Sequence, residues 1–186
     1  MSIHIHDLNE LRDAARAGAE LRYLPFWGHT PKRPGVVDKA VLSQWYPAPF
    51  TVAGVRYPTA EHYMMAAKAR LFGADELAAQ ILANPEPGAA KALGRQIPNF
   101  DEARWAAARE DIVLAGSRGK FGAHEALRTF LMATGTKILV EASPVDNLWG
   151  AGLAHNDPRL AQPDQWPGLN RLGFVLMRLR SEWAES

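Results

Sequence analysis

Tyr57-Pro58-Thr59-Ala60-Glu61-His62-Tyr63-Met64-Met65-Ala66-Ala67-Lys68-Ala69-Arg70-Leu71-Phe72 starts a helix and places charge on it within the same two turns. Pro58 suits the position just before a helix, and the Thr59 hydroxyl is a good N-cap acceptor for a first-turn amide. Ala60 to Ala69 are good helix formers with few β-branched residues. At 3.6 residues per turn, Glu61, Met65, Lys68 and Phe72 lie on one stripe, so an acid and a base share a face with large apolar groups. Glu61 has an ordinary reading as a first-turn carboxylate that complements the helix dipole. Its neighbours argue for more, because His62 and Tyr63 follow directly and Tyr57 precedes. The free first-turn amides favour an ionised carboxylate and suit a nearby anion. Such a carboxylate serves better as a base, or as a stabiliser of positive charge, than as a proton donor.

Outward from this helix, the chain of 186 residues is long enough for one domain with a proper core. Its 47% hydrophobic and 22% charged residues predict a soluble globular protein, and a net charge of +1 gives no excess for non-specific nucleic-acid binding. The alanine-rich segments are interrupted by charges, so no membrane span is expected. The opening residues 1–10 lack a secretory pattern, which predicts a cytoplasmic protein. With no cysteine, disulfides, thiolate metal sites and a cysteine nucleophile are excluded. Six tryptophans and thirteen prolines are the compositional oddity.

Asp7 caps a short peripheral helix that ends at Gly18, and residues 21–27 read as a strand entering a Pro- and Gly-rich loop with Lys32 and Arg33 at its tip. Residues 42–50 are aromatic, irregular and extended, and Ala53-Gly54 turns a tight hairpin that delivers the chain to Tyr57. Helices are expected over 74–83, over 88–94, from Glu102 to about Gly116 or Lys120, from about His124 to Gly135, and over 170–183. Residues 137–141 read as a strand, and 142–169 as a long Gly-, Pro- and Asn-rich loop of the kind that more often serves function than not. The pattern predicts a single α+β domain, predominantly α-helical with a small β element.

A second cluster is Ser143-Pro144-Val145-Asp146-Asn147-Leu148-Trp149-Gly150-Ala151-Gly152. Asp146 brings a carboxylate, Trp149 a stacking surface, and Gly150 and Gly152 a backbone that a ligand can approach. Singly, each is also a turn or core residue. With Glu61 they make two carboxylates, an aromatic platform and permissive backbone, which is what hydrolysis of a nucleoside-like bond requires. The sugar carbon becomes positive as that bond breaks, and carboxylates stabilise it and orient water. Lys68, Lys91, Arg95 and Lys120 are candidate phosphate contacts, of which Lys68 is preferred for its stripe with Glu61. The six histidines show no metal-ligand spacing beyond His4-x-His6, and no Gly-rich phosphate loop is present, so no metal and no cofactor are expected.

Residues 42–50, Gly54, 57–68 and 90–95 resemble the NADAR superfamily of YbiA-like proteins, and Trp105, Lys120-Phe121, Thr134-Gly135, 141–143, Asp146, 149–152, 168–173, Leu176-Met177 and Arg180 follow in the family's order. The resemblance covers about residues 22–183, with residues 1–20 outside it. It implies an N-glycosidase acting on phosphoribosylamino-pyrimidine intermediates of riboflavin synthesis. A second branch removes ADP-ribose from modified guanine in nucleic acid, and a non-catalytic ADP-ribose or nucleotide reader is the competing class. By motif position it implies Glu61, Trp105, Asp146 and Trp149 as active-site residues, with Lys68 and Arg95 nearby as anion contacts. Val145 departs from the family's usual Asn before the aspartate, which removes one hydrogen-bonding side chain. The implied partner is a phosphoribosyl or ADP-ribosyl small molecule, or ADP-ribosylated nucleic acid, and no oligomeric state follows from these residues.

Overall fold

The computed structural model describes residues 5–185. In chain order the elements are α1 (Leu8–Arg16), β1 (Tyr23–Phe26), β2 (Phe50–Val52), β3 (Val55–Tyr57), α2 (Ala60–Leu71), α3 (Asp75–Ala83), α4 (Pro87–Gly94), α5 (Glu102–Ala123), α6 (Glu125–Ala133), β4 (Ile138–Glu141) and α7 (Arg171–Ala184). The fold is α+β and predominantly helical, with two small two-stranded sheets. It divides into two compact units, one of Met1–Ser43 with Ala126–Ser186 and one of Gln44–Glu125.

In the Gln44–Glu125 unit, β2 and β3 form the antiparallel hairpin, with Phe50 opposite Tyr57 and Val52 opposite Val55. Ala53 and Gly54 both take positive φ, 49° and 79°, the backbone that a two-residue hairpin turn demands. The hairpin leads through Tyr57 to the Thr59 N-cap of α2. α3 begins in acidic Asp75-Glu76, and α4 starts with Pro87 in its first turn, as helix starts favour. α5 runs to Ala123, past the end at Gly116 or Lys120 that the glycines suggest in the sequence. Packing overrides their weak helix propensity. A Cβ on Gly116 would lie 2.6 Å from the Tyr63 ring, and one on Gly119 would lie 2.7 Å from Phe50, so both glycines are where aromatic rings rest on the helix.

In the other unit, β1 and β4 pair in parallel, Tyr23 with Ile138 through Phe26 with Glu141. Asn170, with φ 51°, supports β4 from its side chain: its Nδ2 donates to the Leu139 carbonyl at 2.9 Å, and its Oδ1 accepts the Glu141 N–H at 2.9 Å. α7 follows, burying Leu172, Val175, Leu176 and Leu179. The Asp7-capped α1 buries Leu8 and Leu11, and its Arg12 and Arg16 reach Pro163 and Asp164. The segment 142–169 is more structured than an open loop. It carries 3₁₀ turns at Pro158–Ala161 and Pro163–Gln165, and backbone bonds join 147–151 to 168–172, among them Leu169 N–H to Asn147 O at 2.8 Å and Asn170 N–H to Gly150 O at 2.9 Å.

Candidate functional site

α2 carries Glu61 into the interior. Thr59 sits in extended backbone as N-cap, and its Oγ1 accepts the His62 N–H at 3.4 Å. The Glu61 N–H, one of the first-turn amides that α2 itself cannot satisfy, donates to the Gln44 carbonyl at 3.0 Å. The Glu61 side chain is 2% exposed. His62 is fully buried, with Nδ1 2.8 Å from Thr59 Oγ1 and Nε2 2.8 Å from the Asn84 carbonyl. A carbonyl only accepts, so Nε2 carries the proton and Nδ1 receives the Thr59 hydroxyl. Burial pushes the His62 pKa down, against the Asn84 bond and Glu86. His62 therefore ties the start of α2 to the end of α3, while Tyr63 packs tilted against Phe50 and edge-on against Tyr57.

Two turns along the Glu61 stripe, Lys68 donates from Nζ to the Gly94 carbonyl at 3.1 Å, at the C-terminal end of α4. Its ammonium lies 4.5 Å from the centre of the Phe100 ring and 5.4 Å from that of Trp105. Burial lowers the Lys68 pKa, Glu102 raises it, Arg95 lowers it and Glu61 raises it. Trp105, on α5, is buried and covers this ammonium with its ring. Arg95 is exposed at the C-cap of α4. The unit thus gathers Glu61, Lys68, Trp105 and Arg95 around the packing of α2, α4 and α5.

Lys120, one of the candidate phosphate contacts, is instead out of reach of solvent. It is completely buried on α5, with Nζ 5.0 Å from the Phe121 ring centre and 5.5 Å from that of Tyr46, and desolvation lowers its pKa to about 7. A periodic signal was there. Val113, Ser117 and Lys120 are spaced i, i+4, i+7, which puts the lysine on the buried face of the helix. Gln44, within the 42–50 stretch, is 8% exposed, and its carbonyl holds the Glu61 N–H.

In the unit built on β1 and β4, Asp146 opens a tight turn: its Oδ1 accepts the N–H groups of Leu148 at 3.0 Å and Trp149 at 2.8 Å. That turn leaves the Trp149 ring half-buried. Val145, beside it, is 89% exposed. The two glycines have packing reasons of their own. A Cβ on Gly150 would lie 2.9 Å from the carbonyl oxygens of Asp146 and Glu141, and Gly152, at φ 71°, faces Asn147 Oδ1 and Pro167. The space beside both is filled by the protein's own chain.

Among the described residues, no group of three or more His, Asp or Glu is placed to hold a metal ion, and no helix is long and apolar enough to cross a membrane. Three relatives place the chain among known proteins. It is 39% identical over 166 residues to N-glycosidase R617 of Acanthamoeba polyphaga mimivirus, covering 87% of this chain and 96% of that one. The NMR structure of the Escherichia coli protein YbiA superposes with a TM-score of 0.71 at 29% identity, over 88% of this chain and 86% of that one. The riboflavin biosynthesis protein PYRR of Zea mays is 32% identical over 135 residues, 68% of this chain but 20% of the maize protein. The NADAR domain pattern matches residues 25–184, and with that match spanning both units the chain belongs to the NADAR domain family.

Proposed function

We propose that this protein is a hydrolase of N-glycosyl bonds, cleaving the bond between a ribosyl sugar and a base. The observation that carries the reading is Glu61: a carboxyl group 2% exposed at the N-terminal turn of α2, where the helix dipole favours a negative charge. As the C1′–N bond breaks, C1′ becomes cationic, and a fixed carboxylate in a dry environment stabilises that charge more strongly than water does. Water then adds to C1′ and gives a proton to a carboxylate, while the departing nitrogen takes a proton from an acidic group of the site, so that the proton released by water makes good the one that leaves with the base. Glu61 takes the sugar side of this reaction. Asp146 is assigned as the second carboxylate on the family motif, and Trp105 and Trp149 as the aromatic surfaces for the base. Gly150 and Gly152 support the Asp146 turn, and Lys68 and Arg95 serve a phosphate on the sugar.

For substrate, the reading is a phosphoribosylamino-pyrimidine of riboflavin synthesis. Two facts support it: the maize relative is named for that pathway, and a net charge of +1 offers no general attraction to nucleic acid. A second reading, removal of ADP-ribose from guanine in nucleic acid, is favoured by one feature. Trp27, 56% exposed, opens a loop whose His29, Lys32 and Arg33 are also exposed, and a ring with neighbouring cations suits a single strand. The deciding experiment incubates wild type and Glu61→Ala with each substrate and follows release of sugar phosphate or ADP-ribose. Glu61-dependent release from one of them selects the branch. Tight binding of both without release would move the protein to the class of nucleotide readers.

A further inference from the structure

Gln44 is 8% exposed, and neither Nε2 nor Oε1 of its carboxamide has a hydrogen-bond partner in the protein. An amide presents two donors and an acceptor, and burying both ends unmatched is rare in native proteins because the lost hydration is not recovered. Nothing in the fold demands this side chain. The Gln44 backbone carbonyl makes the bond that holds Glu61, and a leucine or methionine would fill the same space without that cost.

The position is informative. Gln44 is anchored to the first turn of α2 through the Glu61 N–H at 3.0 Å, and Tyr46, two residues on, lies with its ring centre 5.5 Å from Lys120 Nζ. The unmatched amide therefore belongs to the short segment that joins the residue bearing the buried carboxylate to the ring covering the buried amine. Ser117, fully buried one turn before Lys120, also has an Oγ without a hydrogen-bond partner. Unmatched polar atoms beside ionisable groups are what a site looks like when its ligand supplies the missing partners.

We propose that Gln44 is a substrate-recognition residue whose carboxamide pairs with the N–H/C=O edge of the base that leaves. The inference rests on the glycosidase reading and deepens it. Glu61 works at the sugar, and the planar amide offers a donor beside an acceptor, the complement of a lactam edge such as a pyrimidinone or guanine ring carries. A site built to hydrogen-bond such an edge rejects a base that lacks it, because the amide is then left buried and unpaired.

The test compares a ribosyl-pyrimidinone carrying a free N–H/C=O edge with its N-methylated analogue, on wild type and Gln44→Leu, and measures binding of the two free bases alongside turnover. Wild type is expected to prefer the free edge by about 10- to 100-fold in kcat/KM. Gln44→Leu loses that factor on the free-edge substrate alone, mainly through KM, and no longer discriminates, while its melting temperature stays level or rises. Should Gln44→Leu not fold, Gln44→Met makes the same comparison. If the variant turns over both substrates as wild type does, or falls equally on both, the recognition role is overturned and the glycosidase reading stands. If wild type cleaves neither substrate but binds the free-edge base in a Gln44-dependent way, the recognition role stands and the glycosidase reading falls. Binding of neither base by wild type overturns the recognition role outright.

Discussion

Lys120 Nζ lies 5.5 Å from the centre of the Tyr46 ring, on a side chain with no exposure to solvent. Its pKa is lowered from 10.5 to about 7 in the folded protein, so between those values the unfolded chain binds a proton that the folded chain does not. The part of the burial cost that comes from the charge is therefore absent above pH 10.5. The cost grows as pH falls toward 7 and is constant below it. The stability of wild type relative to Lys120→Met should rise between pH 7 and pH 10, read from urea midpoints across that range. A flat difference would mean that the amine is charged throughout.

Glu61→Gln keeps the shape of the side chain and removes its charge. The expected loss in kcat/KM is about 1,000-fold, about 4 kcal/mol of transition-state stabilisation, with KM nearly unchanged. Thermal melting of the variant provides the fold control. A loss confined to KM would reassign Glu61 to ground-state binding.

His62 gives a stability prediction at lower pH. Its folded pKa lies below the ordinary 6.5, so its neutral form contributes fully above 6.5 and stability falls as pH drops from there toward the folded value. His62→Gln should flatten that acid limb. Thr59→Ala removes both the N-cap acceptor and the partner of Nδ1, and should cost about 1 to 2 kcal/mol in chemical denaturation with no selective effect on turnover.

Gly152→Ala introduces a side chain at φ 71° against Asn147 and Pro167. A loss of about 1 to 3 kcal/mol is expected, together with reduced kcat, because the same stretch carries the Asp146 turn. Unchanged melting temperature and activity would show that the 147–152 backbone can relax around a methyl group.

The helices were legible where a local signal ends or begins them. Asp7 and Thr59 both cap the helices their positions suggest, because an N-cap acts over three residues. The hairpin at Ala53-Gly54 was legible for the same reason. What could not be read were pairings set by distant chain. The parallel match of Tyr23 with Ile138 joins residues more than a hundred positions apart, and the end of α5 depends on rings from β2 and α2 resting on its glycines. At the candidate site, Glu61 showed in the sequence because helix starts are local. Lys120 and Gln44 did not stand out, since burial of a polar group is decided by everything packed around it.

The parallel pairing of β1 with β4 also sets a timetable for synthesis. Residues 44–125 form a compact unit by themselves and emerge before β4 exists, so Tyr23-Leu24-Pro25-Phe26 waits while more than a hundred further residues are made. At ordinary translation rates that interval is on the order of ten seconds. An apolar strand left open so long is a target for wrong partners, and Pro25 sits in the middle of it with no N–H to offer. In the finished sheet Pro25 pairs in register with Val140, and its missing N–H leaves a wrong partner one backbone donor fewer to capture before β4 is made.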